Sequence, residues 1–164
     1  MSGSVAAASP SSSALFPFTS AAIVGFYESE GFTCGAAVPS TVAAGWTVRT
    51  CQGDDAAGHP LAIGVMTDDN GILGAGFASV TARPEEDLLE PTDALDALSG
   101  FLGAMLDQAA ATDQLPWLAG HVGDDYAEVS IPGASLATYT EAPDDPTRIY
   151  VEVDGEEYLA APPP

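Results

Sequence analysis

The chain has 164 residues and a mass of 16.6 kDa, which suits one domain with a buried core. Its 24 acidic residues face three arginines and no lysine, for a formal net charge of -21 at pH 7. Because nucleic acids and anionic membranes are bound through clustered cations, this charge argues against both as partners, and no apolar run is long enough to predict a transmembrane segment.

Residues 1–14 are rich in serine and alanine. They contain neither a basic residue nor a long hydrophobic run, so they do not resemble a secretory signal peptide. We interpret them as a flexible tether from which a membrane anchor has been removed; the disordered start of a cytoplasmic protein is the alternative. The predicted organisation is a flexible N-terminal segment over 1–14, a single domain over 15–159 and a Pro-rich tail over 160–164.

A helix is predicted directly after residue 18. Thr19 and Ser20 are candidate N-caps, because their hydroxyl groups can accept hydrogen bonds from the first free backbone N–H groups. Gly31 is expected to end the helix, since glycine readily adopts the backbone conformation that follows helices.

Alternating apolar and polar residues predict seven strands. In the second strand Trp46 and Val48 alternate with polar residues, which predicts that its even-numbered side chains face the core. Asp68–Gly71 has the composition of a tight turn between the third and fourth strands. The predicted strands cover residues 33–39, 45–52, 61–65, 72–81, 126–131, 135–141 and 147–153.

The strongest helix signal covers residues 93–110. Leucine and methionine recur there at three- and four-residue spacings, and the resulting apolar stripe must pack against a sheet. Thr92 is the predicted N-cap, and two aspartates lie in the first turn, where the helix dipole favours anions. A shorter helix is predicted over 115–121, with Pro116 in its first turn.

The order of these elements is helix, four strands, two helices and three strands. Segregated runs of hairpin strands and helices are typical of the α+β class. The sequence therefore predicts an α+β domain: one antiparallel sheet with two main helices packed on one face and water on the other.

The two cysteines, Cys34 and Cys51, lie at the outer ends of the first two predicted strands. With the hairpin centre near Val42 and Ala43, both lie equally far from it and face each other closely enough to form a disulfide. A disulfide indicates an oxidising compartment, and two buried reduced thiols are the alternative.

Several segments occur in a characteristic order. They are Glu28–Cys34, Trp46–Cys51, an Asp-Asn-Gly turn, Leu115–Trp117 and Thr147–Ile149. Over residues 20–155 this combination resembles uncharacterised cell-surface domains found in lipoproteins and membrane-anchored proteins of high-GC bacteria such as actinobacteria and Chloroflexi. The resemblance implies an extracytoplasmic location and a disulfide, and it carries no known activity.

No motif typical of a serine nucleophile or of a nucleotide-binding loop is present. The sequence lacks Gly-x-Ser-x-Gly, and it has no Gly-x-Gly-x-x-Gly between a strand and a helix. Any Ser–His or Cys–His arrangement must use His59 or His121, the only two histidines. We interpret His59 as an exposed loop residue and His121 as a residue that suits a helix end, so no catalytic residue and no cofactor are predicted.

Acidic pairs recur along the chain, and oxygen ligands from loops suit Ca²⁺. Asp68–Gly71 lacks the spacing of an EF-hand loop and is fully explained as a turn. His121 with Asp124 and Asp125 can supply ligands for a transition metal, but such a spacing is common by chance. The sequence therefore predicts no metal site.

The cysteine pair and the missing catalytic motifs favour a non-catalytic, extracytoplasmic binding or interaction domain, secreted or anchored at the cell surface. Its negative charge suits a cationic protein or small-molecule partner, and solubility alone explains the acidity equally well. The alternative is an acidic cytoplasmic chaperone or accessory subunit, in which both cysteines are reduced.

Overall fold

The structure, a computed structural model, describes residues 15–140 and 147–164. The predictions for residues 1–14 and for Glu141 lie outside these ranges. The described residues form eight antiparallel strands and four helices, so the predicted α+β class is confirmed. In chain order the elements are α1 (Ser20–Ser29), β1 (Thr33–Cys34), β2 (Val38–Pro39), β3 (Thr47–Asp54), β4 (Pro60–Thr67), β5 (Leu73–Thr81), α2 (Pro91–Met105), α3 (Gln108–His121), β6 (Tyr126–Ile131), β7 (Ala134–Thr140), β8 (Arg148–Gly155) and α4 (Glu156–Leu159).

All strands belong to one sheet in the order β1-β3-β4-β5-β8-β7-β6, and β2 pairs with β3 on the same side as β1. Each paired strand runs antiparallel to its neighbour. After β5 the chain passes through α2 and α3 to β6 at the far edge, and β8 returns to the middle of the sheet beside β5. The last three strands therefore extend the sheet that the first five begin.

The main hydrophobic core lies between the helices and one face of the sheet. Leu98, Phe101, Leu102 and Met105 of α2 are completely buried and share this core with Val151 of β8. Burial of one such side chain contributes about 1.5–3 kcal/mol relative to exposure. The two main helices, α1 and α2, pack against this face, as the sequence predicts.

Of the three candidate N-caps, Thr19 alone is confirmed, and Ser20 is the first residue of α1. The Thr19 hydroxyl accepts a hydrogen bond from the backbone N–H of Ala22 (3.1 Å) at the start of α1. The predicted Thr92 cap of α2 is wrong, because this helix begins at Pro91 with Glu90 as its N-cap. The fixed φ of proline suits the first helical position, which places the helix start before the threonine.

The single helix predicted over 93–110 is two helices. The Asp107 carboxylate accepts hydrogen bonds from the backbone N–H groups of Ala109 (3.0 Å) and Ala110 (3.3 Å), which starts α3 directly after α2 ends. Pro116 therefore lies inside α3 and not in a first turn. None of the helices within the described ranges is both long and apolar enough to cross a membrane.

The predicted strand over 33–39 is interrupted. Cys34 pairs with Cys51 in β1, whereas Val38 pairs with Val48 in β2. Cys34 and Val38 are four residues apart, whereas their partners on β3 are three residues apart, and this one extra residue is a β-bulge. The extra residue divides the strand into two short pieces at the edge of the sheet.

The prediction that even-numbered side chains of the second strand face the main core is wrong. Cys51 is fully buried in that core, whereas Trp46 packs on the opposite face with Met66, Ala75 and Tyr158. Alternation shows that a strand has two faces, but it does not show which face the helices cover. The opposite face is therefore partly buried as well, where water was predicted.

The predicted turn at Asp68–Gly71 is confirmed. One Asp68 carboxylate oxygen accepts hydrogen bonds from the backbone N–H groups of Asn70 and Ile72, both at 2.9 Å. Gly71 has a φ of 79°, in the left-handed region that favours glycine. The hydrogen bonds to the Asp68 side chain and the positive φ of Gly71 together explain this turn.

The chain passes from the last strand into the last helix without a loop. β8 continues through Gly155, and the short helix α4 follows directly. A Cβ atom at this position would lie 2.6 Å from the backbone oxygen of Gly74. Glycine is required here because two backbone segments approach closely, and this brings α4 onto the second face of the sheet.

Candidate functional site

Three tyrosines form a row across the last three strands, on the face opposite α1 and α2. Backbone pairing places Tyr126 of β6 opposite Tyr139 of β7, and Tyr139 opposite Tyr150 of β8. The rings are stacked, with centroids 6.1 Å apart in the first pair and 4.9 Å apart in the second. Because aromatic pairs on neighbouring strands stabilise one another, the three rings make a continuous strip.

Three carboxylates lie beside this row on the same face. Glu152 and Asp154 lie two and four residues after Tyr150 on β8, and Glu128 lies two residues after Tyr126 on β6. Alternate residues of a strand share a face, so these carboxylates lie on the tyrosine side. The Tyr126 hydroxyl donates a hydrogen bond to Glu128 (3.2 Å). The six residues, which we call the tyrosine–carboxylate surface, are Tyr126, Tyr139, Tyr150, Glu128, Glu152 and Asp154.

Carboxylates outnumber cations on this surface, beside which the Arg148 guanidinium donates a hydrogen bond to the Tyr150 hydroxyl (3.4 Å). Burial raises the pKa of Asp154 to about 7, and the charges of Glu152 and Glu128 act in the same direction. Burial, and then the charge of Glu152, raises the pKa of the Tyr139 hydroxyl well above its ordinary value. A bound cation would relieve this repulsion, so the surface has the chemistry of a cation-binding site.

The variant Asp154→Asn is expected to be more stable than the natural chain at about pH 8, by about 2 kcal/mol. The pKa of Asp154 rises from 3.8 to about 7 on folding, so the folded state retains a proton that the unfolded state releases. Stability therefore falls as the pH rises from about 4 to about 7 and stays low above this range. The expected stability gain is about half of what the full pKa shift of Asp154 implies, because solvent screens this partly exposed carboxyl.

Urea unfolding at about pH 5 and about pH 8 measures this effect, and the gain should be less than half as large at the lower pH. The matched control is Asp113→Asn on the exposed side of α3, which removes the same charge away from the surface. Equal gains for both variants would show that only the overall charge of the chain matters.

The loop between β3 and β4 buries a histidine. His59 is 2% exposed, and its Nδ1 lies 3.4 Å from Oδ2 of Asp55 while its Nε2 lies 3.0 Å from Oε1 of Glu86. Within the described ranges, neither ring nitrogen has a partner in hydrogen-bonding geometry. The interpretation of His59 as an exposed loop residue is therefore wrong.

Two loops enclose the His59 ring. The Asp55 carboxylate accepts hydrogen bonds from the backbone N–H groups of Ala57 and His59, both at 2.9 Å, which fixes the β3–β4 turn. The Arg83 guanidinium donates to the Ala57 carbonyl (3.2 Å) and joins the β5–α2 loop to this turn. The Arg83 backbone N–H also donates to Glu86 (2.7 Å), which lowers the pKa of that carboxyl.

His59 belongs to a group of three side chains that can hold a metal ion. His59, Glu86 and Asp93 each offer one ligand atom within 4.8 Å of the others. No other group of three or more histidine, cysteine or acidic side chains meets this condition in residues 15–140 and 147–164. Burial decreases across the group, from the enclosed His59 to the exposed Asp93.

His121 occupies the helix end, as predicted. It is the last residue of α3, and its Nδ1 lies 2.9 Å from Oδ2 of Asp124. Both side chains are close to half exposed, and Asp125 does not complete a three-ligand group with them. The structure therefore brings two of the three suggested ligands together, on an open surface.

Cys34 and Cys51 form the predicted disulfide. Cys51 is completely buried in the main core, and the bond attaches the two-residue strand β1 to β3. The chain has only these two cysteines, so no thiol is left to act as a nucleophile or a metal ligand.

An apolar groove of about 430 Å³ lies between α1 and α2. Phe18 and Phe26 form part of its wall and are each about half exposed. No titratable side chain lines the groove, so it offers no acid or base for catalysis. The other lining residues are Ala22, Ile23, Gly100, Gly103 and Ala104.

Known proteins supply no assignment for this chain. No protein-family model, no curated protein and no solved structure matches it significantly. What the chain does must therefore be inferred from its own side chains.

The sequence prediction missed both candidate groups, the tyrosine–carboxylate surface and the side chains around His59. The three tyrosines lie far apart along the chain, and only the register of β6, β7 and β8 brings them into one row. The single tyrosine in each of the three strands was the available signal, but sequence alone does not set the register between strands. For His59 the preceding acidic turn gave no sign of burial.

Proposed function

We propose that this chain is a non-catalytic, extracytoplasmic binding domain that holds a basic segment of a partner protein on its tyrosine–carboxylate surface. The observation that carries the proposal is the row of stacked tyrosines with three carboxylates beside it. The ring of Tyr126, which is 61% exposed at the end of the row, can attract an ammonium or guanidinium group, and carboxylates pair with the same groups. Lysine and arginine side chains therefore match both components of this surface.

The shape of the surface favours a protein segment over a small molecule. The six residues extend across three neighbouring strands on one face of the sheet. Small ligands are usually enclosed in concave sites, whereas extended segments lie along broad surfaces. The net charge of -21 adds a general attraction for basic partners, which salt screens beyond about 8 Å.

The disulfide supports the extracytoplasmic part of the proposal. Disulfides persist in oxidising compartments and are rare in the reducing cytosol. A binding role is also consistent with the chemistry present, since the surface contains tyrosines and carboxylates and no nucleophile paired with a histidine.

Binding of a short oligo-arginine peptide, measured by fluorescence anisotropy at physiological salt, tests the proposal. The variant Glu128→Gln/Glu152→Gln removes two charges from the tyrosine–carboxylate surface at constant side-chain size. We expect its affinity to be about tenfold lower, because close charge pairs are lost. Tyr139→Leu, which changes no charge, removes the ring on which Tyr126 and Tyr150 stack and is expected to lower the affinity by about threefold.

The matched control is Glu28→Gln/Glu30→Gln, which removes two exposed charges at the end of α1. Its affinity should stay within about twofold of the natural chain, since screened distant charges contribute little. If both double variants lose the same affinity, the peptide responds only to the overall charge and the proposed surface is wrong. An unchanged affinity in Tyr139→Leu would remove the tyrosines from the proposal.

A further inference from the structure

A second group of side chains lies where the β3–β4 turn meets the loop that leads into α2. His59 is 2% exposed, and its Nδ1 and Nε2 lie 3.4 Å and 3.0 Å from carboxylate oxygens of Asp55 and Glu86, although neither contact within the described residues has hydrogen-bonding geometry. Buried polar side chains are nearly always hydrogen-bonded, so an enclosed imidazole of this kind calls for an explanation. A metal ion bound between the ring and these carboxylates would coordinate the imidazole nitrogen and balance the negative charge beside it.

The charge around His59 is negative. The carboxylates of Asp55, Glu86 and Asp93 surround the ring, and the nearby cation is Arg83. A further carboxylate, Glu85, lies 3.4 Å from the Arg83 guanidinium. Negative groups therefore outnumber positive ones on every loop that faces the histidine, and a divalent cation would balance them.

The ligand atoms indicate the class of cation. One imidazole nitrogen with two carboxylates suits Zn²⁺ and related transition metals, whereas Ca²⁺ and Mg²⁺ prefer oxygen ligands alone. Ligand atoms around tetrahedral Zn²⁺ lie about 3.4 Å apart; His59 Nε2 and Glu86 Oε1 are 3.0 Å apart here, and the three ligand atoms all lie within 4.8 Å of one another. Asp55 lies on the Nδ1 side of the ring, where a carboxylate commonly orients a metal-binding histidine.

We propose that His59, Glu86 and Asp93 bind a divalent transition-metal ion, for which Zn²⁺ is the reference, and that Asp55 positions the His59 ring. The ion would connect the β3–β4 turn to the start of α2 and satisfy the buried imidazole. This site is separate from the tyrosine–carboxylate surface and does not depend on the function proposed for it.

Calorimetric titration of chelator-treated full-length protein with Zn²⁺ tests the site. We expect saturable binding of one ion per chain and a higher melting temperature with the metal than with chelator. Asp93→Asn should lower the affinity by at least about tenfold, because a ligand charge is lost. Asp96→Asn removes the same charge from an exposed position of the same helix and should stay within about twofold.

Two further measurements distinguish metal binding at these three ligands from nonspecific binding to the acidic surface of the protein. Asp55→Asn keeps all three ligands and leaves one side-chain oxygen to accept the backbone hydrogen bonds of the turn, and it should lower the affinity by about tenfold because the carboxylate on the Nδ1 side of the ring is lost. In NMR spectra Zn²⁺ should shift the ring signals of His59 and leave those of His121 in place. Both readouts remain available if a direct His59 substitution prevents folding.

The proposal is overturned by any of three results. Zn²⁺ that does not saturate would indicate diffuse binding to the acidic surface. An equal affinity in Asp93→Asn and Asp96→Asn would exclude Asp93 as a ligand. Loss of binding in His121→Ala would place the ion at the exposed His121–Asp124 pair instead.

Discussion

Reduction of the Cys34–Cys51 disulfide is expected to lower the free energy of unfolding by about 3 kcal/mol. The bond joins residues 17 positions apart, so its reduction gives the unfolded chain the freedom of an open loop. The folded state also depends on the bond locally, because β1 has only two paired residues at the edge of the sheet. We expect the loss to begin at this edge.

Urea unfolding with and without a strong reductant measures the loss. Reduction leaves both sulfur atoms in the chain, so the result is not confused with a missing side chain. The control is Cys34→Ala/Cys51→Ala, whose stability should not respond to reductant. A reductant effect of similar size in this variant, or none in the natural chain, would contradict the prediction.

The oxidation state of Cys34 and Cys51 in native cells tests whether the protein is extracytoplasmic. Protein taken from its native cells and alkylated during lysis should carry no label on Cys34 or Cys51, and should gain label only after reduction. Labelling of both thiols before reduction would instead support the cytoplasmic chaperone or accessory subunit.

The fold class follows from patterns that act locally. Thr19 caps a helix through its own hydroxyl, and Asp68 forms a turn with residues next to it. The cysteine pair was predicted from the symmetry of the hairpin, although the bulge shifts the register by one residue between the Val38–Val48 pair and the Cys34–Cys51 pair. Such features need no knowledge of the rest of the chain.

The candidate sites depend on contacts between distant segments. His59 is buried because the loop containing Arg83 and Glu86 closes over it, and nothing near His59 in sequence records this. The tyrosine row likewise requires three strands to pair in one register. Polar residues in loops and strands therefore identify candidate chemistry, but only tertiary structure assembles it.

The second face of the sheet, which was predicted to be solvent-exposed, has a small hydrophobic core of its own. Trp46 is 8% exposed and lies edge-on to Tyr158, with ring centroids 5.1 Å apart. Its ring also lies directly over Gly74, where a Cβ atom would come within 2.4 Å of it. The backbone N–H of Ala44 donates to the Pro162 carbonyl (2.8 Å), which holds the C-terminal residues over this face.

Replacement of Trp46 by alanine is expected to lower the free energy of unfolding by about 3 kcal/mol, at the lower end of the range for large buried aromatic residues. The loss combines the buried area of the ring with the cavity left beside Met66 and Ala75. Urea unfolding, followed by far-ultraviolet circular dichroism, measures it. Val42→Ala is the control: Val42 is 64% exposed in the neighbouring loop, so this variant should change stability by less than about 0.5 kcal/mol.

A double-mutant cycle shows whether the ring itself is responsible. Gly74→Ala should cost about 1–3 kcal/mol in the natural chain, because the new methyl group meets the Trp46 ring. In the Trp46→Ala background that clash is absent, so the same change should cost almost nothing. Equal costs in both backgrounds would mean that the two residues are not in contact, and the second core would then have to lie elsewhere on this face.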